Sequence, residues 1–203
     1  MESTVTKSPI LLYTEQTPNP ETLKFVTNKM LYKGTADFKD EESAAQWSPL
    51  AKALFDMPYV KGVYICNNFV TITKEFNYEW EEVILPTKEF IKNYVGDEKE
   101  IVSNGYEDAF KAETAKKYEN QYNGENAELL IKIRELIDTY VKPAVEMDGG
   151  NIEFRSFENG VVTVLLQGSC SGCPSSTVTL KSGIEGMLKR MVPEVTEVVA
   201  EMG

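Results

Sequence analysis

The dipeptide Asn159-Gly160, set between two strand-like segments, constrains the fold of this chain more than any other feature. Both residues tolerate positive φ, so Glu158-Asn159-Gly160 reads as a tight hairpin turn joining a strand containing Ile152 and Phe154 to Val161-Val162-Thr163-Val164-Leu165-Leu166. An amphipathic helix precedes the hairpin, with Leu129, Leu130, Ile133, Leu136, Ile137, Tyr140 and Val141 at three- and four-residue intervals. It is predicted to end near Pro143, before a turn at Met147-Asp148-Gly149-Gly150. A second helix follows, capped by Ser175 or Ser176, with Val178, Leu180, Ile184, Met187, Leu188 and Met191 as its apolar positions and Pro193 as its stop. Glu194 to Val199 supplies a last strand. The order helix, strand, strand, helix, strand predicts a three-stranded sheet with both helices on one face, the second crossing over right-handed if the last two strands are parallel.

Between the hairpin and the second helix lies Gln167-Gly168-Ser169-Cys170-Ser171-Gly172-Cys173-Pro174-Ser175-Ser176. Gly168 and Gly172 let the backbone turn tightly enough for both sulfurs to point the same way. The helix that follows directs its unpaired amides and positive dipole end at the loop, which favours thiolate over thiol. Surroundings of glycine and serine suit reactive thiols better than inert ones, and Ser171, Ser175 and Ser176 can add hydrogen bonds to sulfur. Two cysteines at this spacing hold a metal centre or close as a redox disulfide. A tetrahedral iron or zinc centre takes about four protein ligands, so one pair is half a set and a second copy of the chain can supply the rest.

Composition trims the alternatives. The 203 residues include no histidine and only one further cysteine, Cys66, which removes Cys2His2 zinc fingers, Rieske-type clusters and Cys-His nucleophile pairs. A thioredoxin-like oxidoreductase is disfavoured as well: Ser169 precedes the pair, no tryptophan lies nearby, Pro174 follows the pair, and the preceding hairpin is not a βαβ unit. A net charge of -11 argues against nucleic acid and anionic membrane surfaces as partners. No Gly-rich phosphate loop is present, and no stretch approaches the roughly eighteen apolar residues of a membrane span. Residues 1–9 read as a tail without the features of a signal or transit peptide, and an odd number of cysteines does not read as a disulfide framework, so a cytoplasmic protein is expected.

Residues 10–96 read as a separate α+β module. Strands are predicted at Ile10 to Tyr13 and Leu23 to Val26, separated by Thr17-Pro18-Asn19-Pro20. A helix opens at Asp40-Glu41-Glu42, a second starts at Pro49, and Val60 to Ile65 and Phe69 to Thr73 form a hairpin about Asn67-Asn68. A last helix over Tyr78 to Val95 is expected to kink or split at Pro86. Residues 97–126 are polar and read as a linker, part helical near Tyr106 to Glu113, leading to residues 127–203. The fold class is therefore α+β, with two small α/β-sandwich-like domains.

Residues Leu129 to Val199 resemble the carboxy-terminal domain of NifU-type proteins, the Nfu family of iron-sulfur cluster scaffolds and carriers. The resemblance lies in Val141-Lys142-Pro143, Met147-Asp148-Gly149-Gly150, Val164-Leu165-Leu166-Gln167-Gly168 and the run from Cys170 through Leu180, and continues to Pro193-Glu194-Val195. Thr14 to Lys74 resemble the amino-terminal domain that accompanies it, through Thr17-Pro18-Asn19-Pro20, Thr22-Leu23-Lys24-Phe25 and Ser48-Pro49-Leu50-Ala51. The resemblance implies that Cys170 and Cys173 of two subunits share one [4Fe-4S] cluster, or less often a [2Fe-2S] cluster. It implies a cluster-linked homodimer that receives cargo from upstream cluster-assembly proteins and passes it to apo iron-sulfur client proteins, with no enzymatic activity. The scaffold and permanent-cluster domains of the longer nitrogen-fixation relatives are not in this sequence, which argues against dedicated service to nitrogenase.

Beside that reading stand a thiol-disulfide redox protein using Cys170 and Cys173, and a zinc-bound structural adaptor. Cys66 reads as a small buried hydrophobe rather than a third ligand. Glu79, Glu81 and Glu82 read as a solvated face, Thr17-Pro18-Asn19-Pro20 as a turn or a recognition loop, and Lys181, Lys189 and Arg190 as solvated or as attractors of acidic clients.

Overall fold

The computed structural model describes residues 9–118, 127–171 and 174–202, and side chains at 9–112, 128–171 and 178–202. The first domain is built on a five-stranded antiparallel sheet in the order β1-β2-β5-β4-β3. Its strands are β1 (Leu12–Gln16), β2 (Thr22–Thr27), β3 (Tyr32–Phe38), β4 (Val60–Asn67) and β5 (Phe69–Lys74). The β4–β5 hairpin turns where expected, with Asn67 at φ 48°. Strand β3 is not anticipated by the sequence reading. Among the described residues it is an edge strand paired with β4 alone, its register slips between Tyr32 and Thr35, and Gly34 and Lys33 blur the alternation that Ala36 and Phe38 carry.

One face of this sheet is covered by α1 (Glu41–Trp47), α2 (Pro49–Phe55) and α3 (Trp80–Gly96). Asp40 caps α1 by accepting the Ser43 N–H, and Ser48 caps α2 by accepting the Ala51 N–H, so the chain turns sharply between two short helices. Pro49 sits at the first position of α2, where its missing N–H costs nothing. Pro86 does not split α3: it lies on the exposed face, where the carbonyl it orphans meets water, and Thr87 on the buried side donates its hydroxyl to the Val83 carbonyl. Within the segment read as a linker, Ile101, Val102 and Tyr106 pack against this same core, and α4 (Tyr106–Tyr118) begins there.

The second domain follows the predicted order. Its helical entry is α5 (Ala127–Leu136), a π turn over Ile137–Val141 and α6 (Lys142–Met147), so the helix does not end at Pro143. The widened turn makes room ahead of the proline ring, and Pro143 then falls in the first turn of α6, where no amide is needed. β6 (Gly150–Glu158) and β7 (Val161–Gly168) are antiparallel about Asn159 at φ 50° and Gly160 at φ 84°. α7 (Pro174–Met191) starts at Pro174 rather than after a serine cap, and β8 (Glu197–Met202) pairs parallel with β7. Ile133 and Ile137 from the first helical run and Ile184 and Leu188 from α7 join Ile152, Val162, Val164, Leu166 and Val198 in one core, so both helical layers cover the same sheet face.

The two sheets meet. In the first, Leu23, Phe25, Val70, Ile72, Val63, Ile65, Ala36 and Phe38 point to the helices, so their alternate neighbours point the other way. That opposite face presents Val26, Cys66 and Phe69 beside a cross-sheet row of paired residues, Lys24–Thr71–Tyr64–Asp37. The second domain covers it, which is why β2 is buried at every position.

Candidate functional site

The cysteine loop leaves β7 at Gly168, whose φ of 64° lies in the left-handed region that glycine alone enters freely. A β-carbon there would stand 2.9 Å from the Tyr64 ring and 2.7 Å from the Gly149 carbonyl oxygen, so any side chain is excluded twice over. The loop is tied to the preceding turn: the Ser169 hydroxyl donates to the Asp148 carbonyl and the Ser169 N–H to the Gly149 carbonyl. Gly150 brings that turn against the loop so closely that a β-carbon on it would lie 3.0 Å from the Cys170 sulfur. The Met147-Asp148-Gly149-Gly150 turn and the cysteine loop are thus one unit.

Cys170 is 7% exposed and packs against the second domain's apolar core. The sequence suggests the opposite, a polar loop in which the helix dipole favours thiolate. Burial wins here: it pushes the Cys170 thiol above its usual range, offset in part by the Ser169 hydroxyl 3.8 Å from the sulfur and reinforced by Asp148. Cys173 and Gly172 lie outside the described residues, as do the side chains of Ser175 and Ser176. Among the described residues no three Cys, Asp or Glu side chains gather into a set able to hold a metal ion.

The cross-sheet row of the first domain touches this unit at every member. The Lys24 ammonium donates to the Glu146 and Met147 carbonyls at 3.4 and 3.2 Å, neutralising the carbonyl end of α6, and is paired with Glu15 at 3.1 Å. The Thr71 hydroxyl donates to the Gly149 carbonyl at 2.8 Å. The Tyr64 ring lies under Gly168, and Asp37 accepts the Gly168 N–H at 3.2 Å. Lys39, just past the end of β3, pairs with Asp37 at 2.9 Å and donates to the Ser171 hydroxyl at 2.5 Å. The Asp37 side chain is 3% exposed, and burial raises its pKa against the opposing pull of Lys39 and the Gly168 amide. From the other edge, the Asn19 side-chain amide donates to the Ser169 carbonyl at 3.3 Å.

Sequence reasoning missed this row because polar residues on one face of a strand read as solvated. The Thr17-Pro18-Asn19-Pro20 turn is neither a plain turn nor a free recognition loop, since Asn19 seats on the cysteine loop. Cys66 is 3% exposed among Val26, Tyr64 and Phe69, in the buried position expected of it, and burial raises its thiol pKa. The cations of α7 are engaged locally: Lys181 with Glu197, Lys189 with Glu185, and Arg190 with the Gly186 carbonyl.

The chain is thus a protein of two α+β domains with a buried thiol at a strand-to-helix turn and no histidine in its sequence. Comparison with known proteins refines that class. The family model for the scaffold protein Nfu/NifU N-terminal domain matches residues 12–98, and that for the NifU-like domain matches residues 133–199. The mitochondrial NFU1 iron-sulfur cluster scaffold homologues of Drosophila persimilis and Drosophila willistoni are 38% and 39% identical over 98% and 95% of this chain. The chain spans 67% and 64% of those two proteins' own lengths. A NifU-like protein from Saccharomyces cerevisiae, solved by NMR, covers 47% of this chain, with 87% of its own length aligned, at 25% identity and a TM-score of 0.43. The chain belongs to the Nfu/NifU family of iron-sulfur cluster scaffold proteins. The cytoplasmic location expected from the sequence is overturned, because these relatives are named mitochondrial.

Proposed function

We propose that this chain carries an iron-sulfur cluster as cargo, held by Cys170 and Cys173 of two copies, and releases it to apo-proteins inside the mitochondrion. The observation that carries the reading is the cysteine loop itself. Its first thiol is set at a rigid turn between β7 and α7, and histidine is absent from the whole sequence. Two thiolates per chain make half of a four-ligand set, so a second copy completes it. A [4Fe-4S] cluster is favoured, with [2Fe-2S] as the lesser form. A cluster bridged between chains is open to attack by a client's thiolates, which replace the ligands stepwise. Holding cargo loosely is the activity, and no substrate is turned over.

Anaerobic reconstitution with iron and sulfide tests this, read by iron and sulfide content, visible absorption, Mössbauer spectra and mass. A brown dimer with one cubane cluster, lost in Cys170→Ser and in Cys173→Ser, is the expected result. A colourless monomer that cycles a Cys170–Cys173 disulfide overturns it in favour of thiol redox chemistry. A colourless dimer that takes zinc and refuses iron and sulfide overturns it in favour of a structural adaptor.

A further inference from the structure

We propose that the first domain carries a docking pocket for the carboxyl end of a partner protein. The buried ammonium of Lys74 and the first amides of α3 take the terminal carboxylate, and Trp80 and Phe76 take the last side chain. A half-open cavity of about 410 Å³ lies between the β1–β2 turn, the end of β5 and the start of α3. Lys74 follows Ile72 on the helix side of β5 and is only 7% exposed, yet among the described residues no carboxylate pairs with it. Its ammonium lies 5.9 Å from the centre of the Trp80 ring. A cation so buried is costly unless an anion faces it, and the cavity is where one can enter. The start of α3 belongs to the same wall. Glu79 at its N-cap makes no side-chain capping bond, so the amides of Trp80 and Glu81, which have no partner within the helix, are left to an outside acceptor.

The rest of the lining selects the occupant. Trp80 is fixed in place by its indole N–H, which donates to the Pro20 carbonyl at 2.9 Å, and by the Phe25 ring at 6.4 Å. Phe76, 80% exposed, adds a second aromatic face. Three carboxylates, Glu21, Glu79 and Glu81, also line the cavity against the single ammonium. They repel a polyanion such as a nucleotide or free phosphate, and admit one carboxylate followed by positive charge. A chain end meets each demand. It brings a single carboxylate to the ammonium and the helix amides, one apolar side chain to the aromatic faces, and lysine or arginine upstream to the glutamates; unpaired backbone amides are a recurring means of capturing a free carboxyl terminus. Asn19 sets the location. It lines the cavity, and its side-chain amide donates to the Ser169 carbonyl beside Cys170, so pocket and cysteine loop share a wall. As a seat for a client the pocket rests on the carrier reading, whereas as a binding site it rests on Lys74 and α3 alone.

The test presents the full metal-free chain, labelled at its amino terminus, to an array of hexapeptides with free carboxyl ends and varied sequence. Retained peptides are expected to end in a large apolar residue with lysine or arginine upstream, and the same array with amidated ends is expected to retain nothing. Lys74→Met keeps the bulk of the stem and removes the charge, and should weaken the best-retained peptide about tenfold. Phe76→Ser, at an exposed position, should weaken it without touching the core, and decides the matter if Lys74→Met fails to fold by circular dichroism. No retention on the free-carboxyl array, equal retention on the amidated one, or wild-type affinity in the folded variants overturns the pocket. Competition by free N-acetylphenylalanine at the strength of the peptide marks a site for small acids, and retention of amidated peptides with an internal glutamate marks a side-chain ligand; either overturns the chain-end assignment. Reconstitution separates this from the functional reading. If peptides bind and no cluster forms, the carrier reading fails and the pocket stands. If wild type and Lys74→Met load cluster equally and neither retains a peptide, the carrier reading stands and the pocket fails.

Discussion

Asp37 Oδ2 accepts the backbone N–H of Gly168 at 3.2 Å, joining residues 131 positions apart. The bond ties an edge strand of the first domain to the point where β7 becomes the cysteine loop. Lys39 completes it by pairing with Asp37 and reaching Ser171. A buried carboxylate is costly unless a cation and a donor both face it, and here both do.

Gly168→Ala is expected to lower stability by about 2–4 kcal/mol, summing the left-handed backbone cost with overpacking against Tyr64. Urea unfolding at neutral pH measures it as a lower midpoint. A midpoint equal to wild type would show that the loop relaxes away from Tyr64 at no cost. Because the added methyl meets the first domain's ring, the variant should also loosen the contact between the sheets.

Ser48 holds two elements at once. Its hydroxyl accepts the Ala51 N–H at the start of α2 and donates to the Ile101 carbonyl at 2.5 Å, in a fully buried position. Ser48→Ala removes a cap and orphans a carbonyl, for an expected loss of about 2–3 kcal/mol. Thermal unfolding checks it, and Ser48→Thr, which keeps the hydroxyl, should recover part of the loss.

Two buried tyrosines predict a loss of stability at high pH. Burial pushes the Tyr106 phenol from 10.0 up to about 12 and raises Tyr64 further still. Below pH 10 the phenols are protonated in folded and unfolded chains alike, and their contribution is fully present. Above it the unfolded chain sheds protons that the folded chain must keep, so stability is lost as pH rises through the folded values, at up to about 1.4 kcal/mol per pH unit for each group. Urea midpoints at pH 8, 10 and 11 should fall progressively. They should fall less steeply in Tyr106→Phe, and parallel slopes in the two proteins would remove Tyr106 from the account.

The second domain was legible because its signals are local. Asn159-Gly160 makes a hairpin, the apolar spacing of residues 129–141 and 178–191 makes helices, and the cysteine loop falls where strand gives way to helix. The first domain was half legible. Its hairpin and helix starts were carried by Asn67, Asp40 and Pro49, but β3 was lost because an edge strand with a register slip has no clean alternation. The row over the cysteine loop was not legible at all. Lys24, Thr71 and Asp37 are ordinary outward residues of a half-buried sheet, and nothing local tells a face covered by another domain from one covered by water. Cys170 is a separate case: a Gly- and Ser-rich loop looks wet in one dimension, and its burial comes from packing against the apolar core of its own domain.

Cys66 and Cys170 are both buried thiols, and substitution separates their roles. Cys66→Ser places a hydroxyl among Val26, Tyr64 and Phe69, where it lacks apolar compatibility, and is expected to cost about 1–2 kcal/mol in unfolding experiments. Cluster content after anaerobic reconstitution should be unchanged, because Cys66 lies on β4 and not in the loop. Cys170→Ser should show the reverse pattern: a comparable or smaller stability change and no retained cluster. A Cys66→Ser protein that folds yet fails to hold iron and sulfide would make Cys66 a ligand.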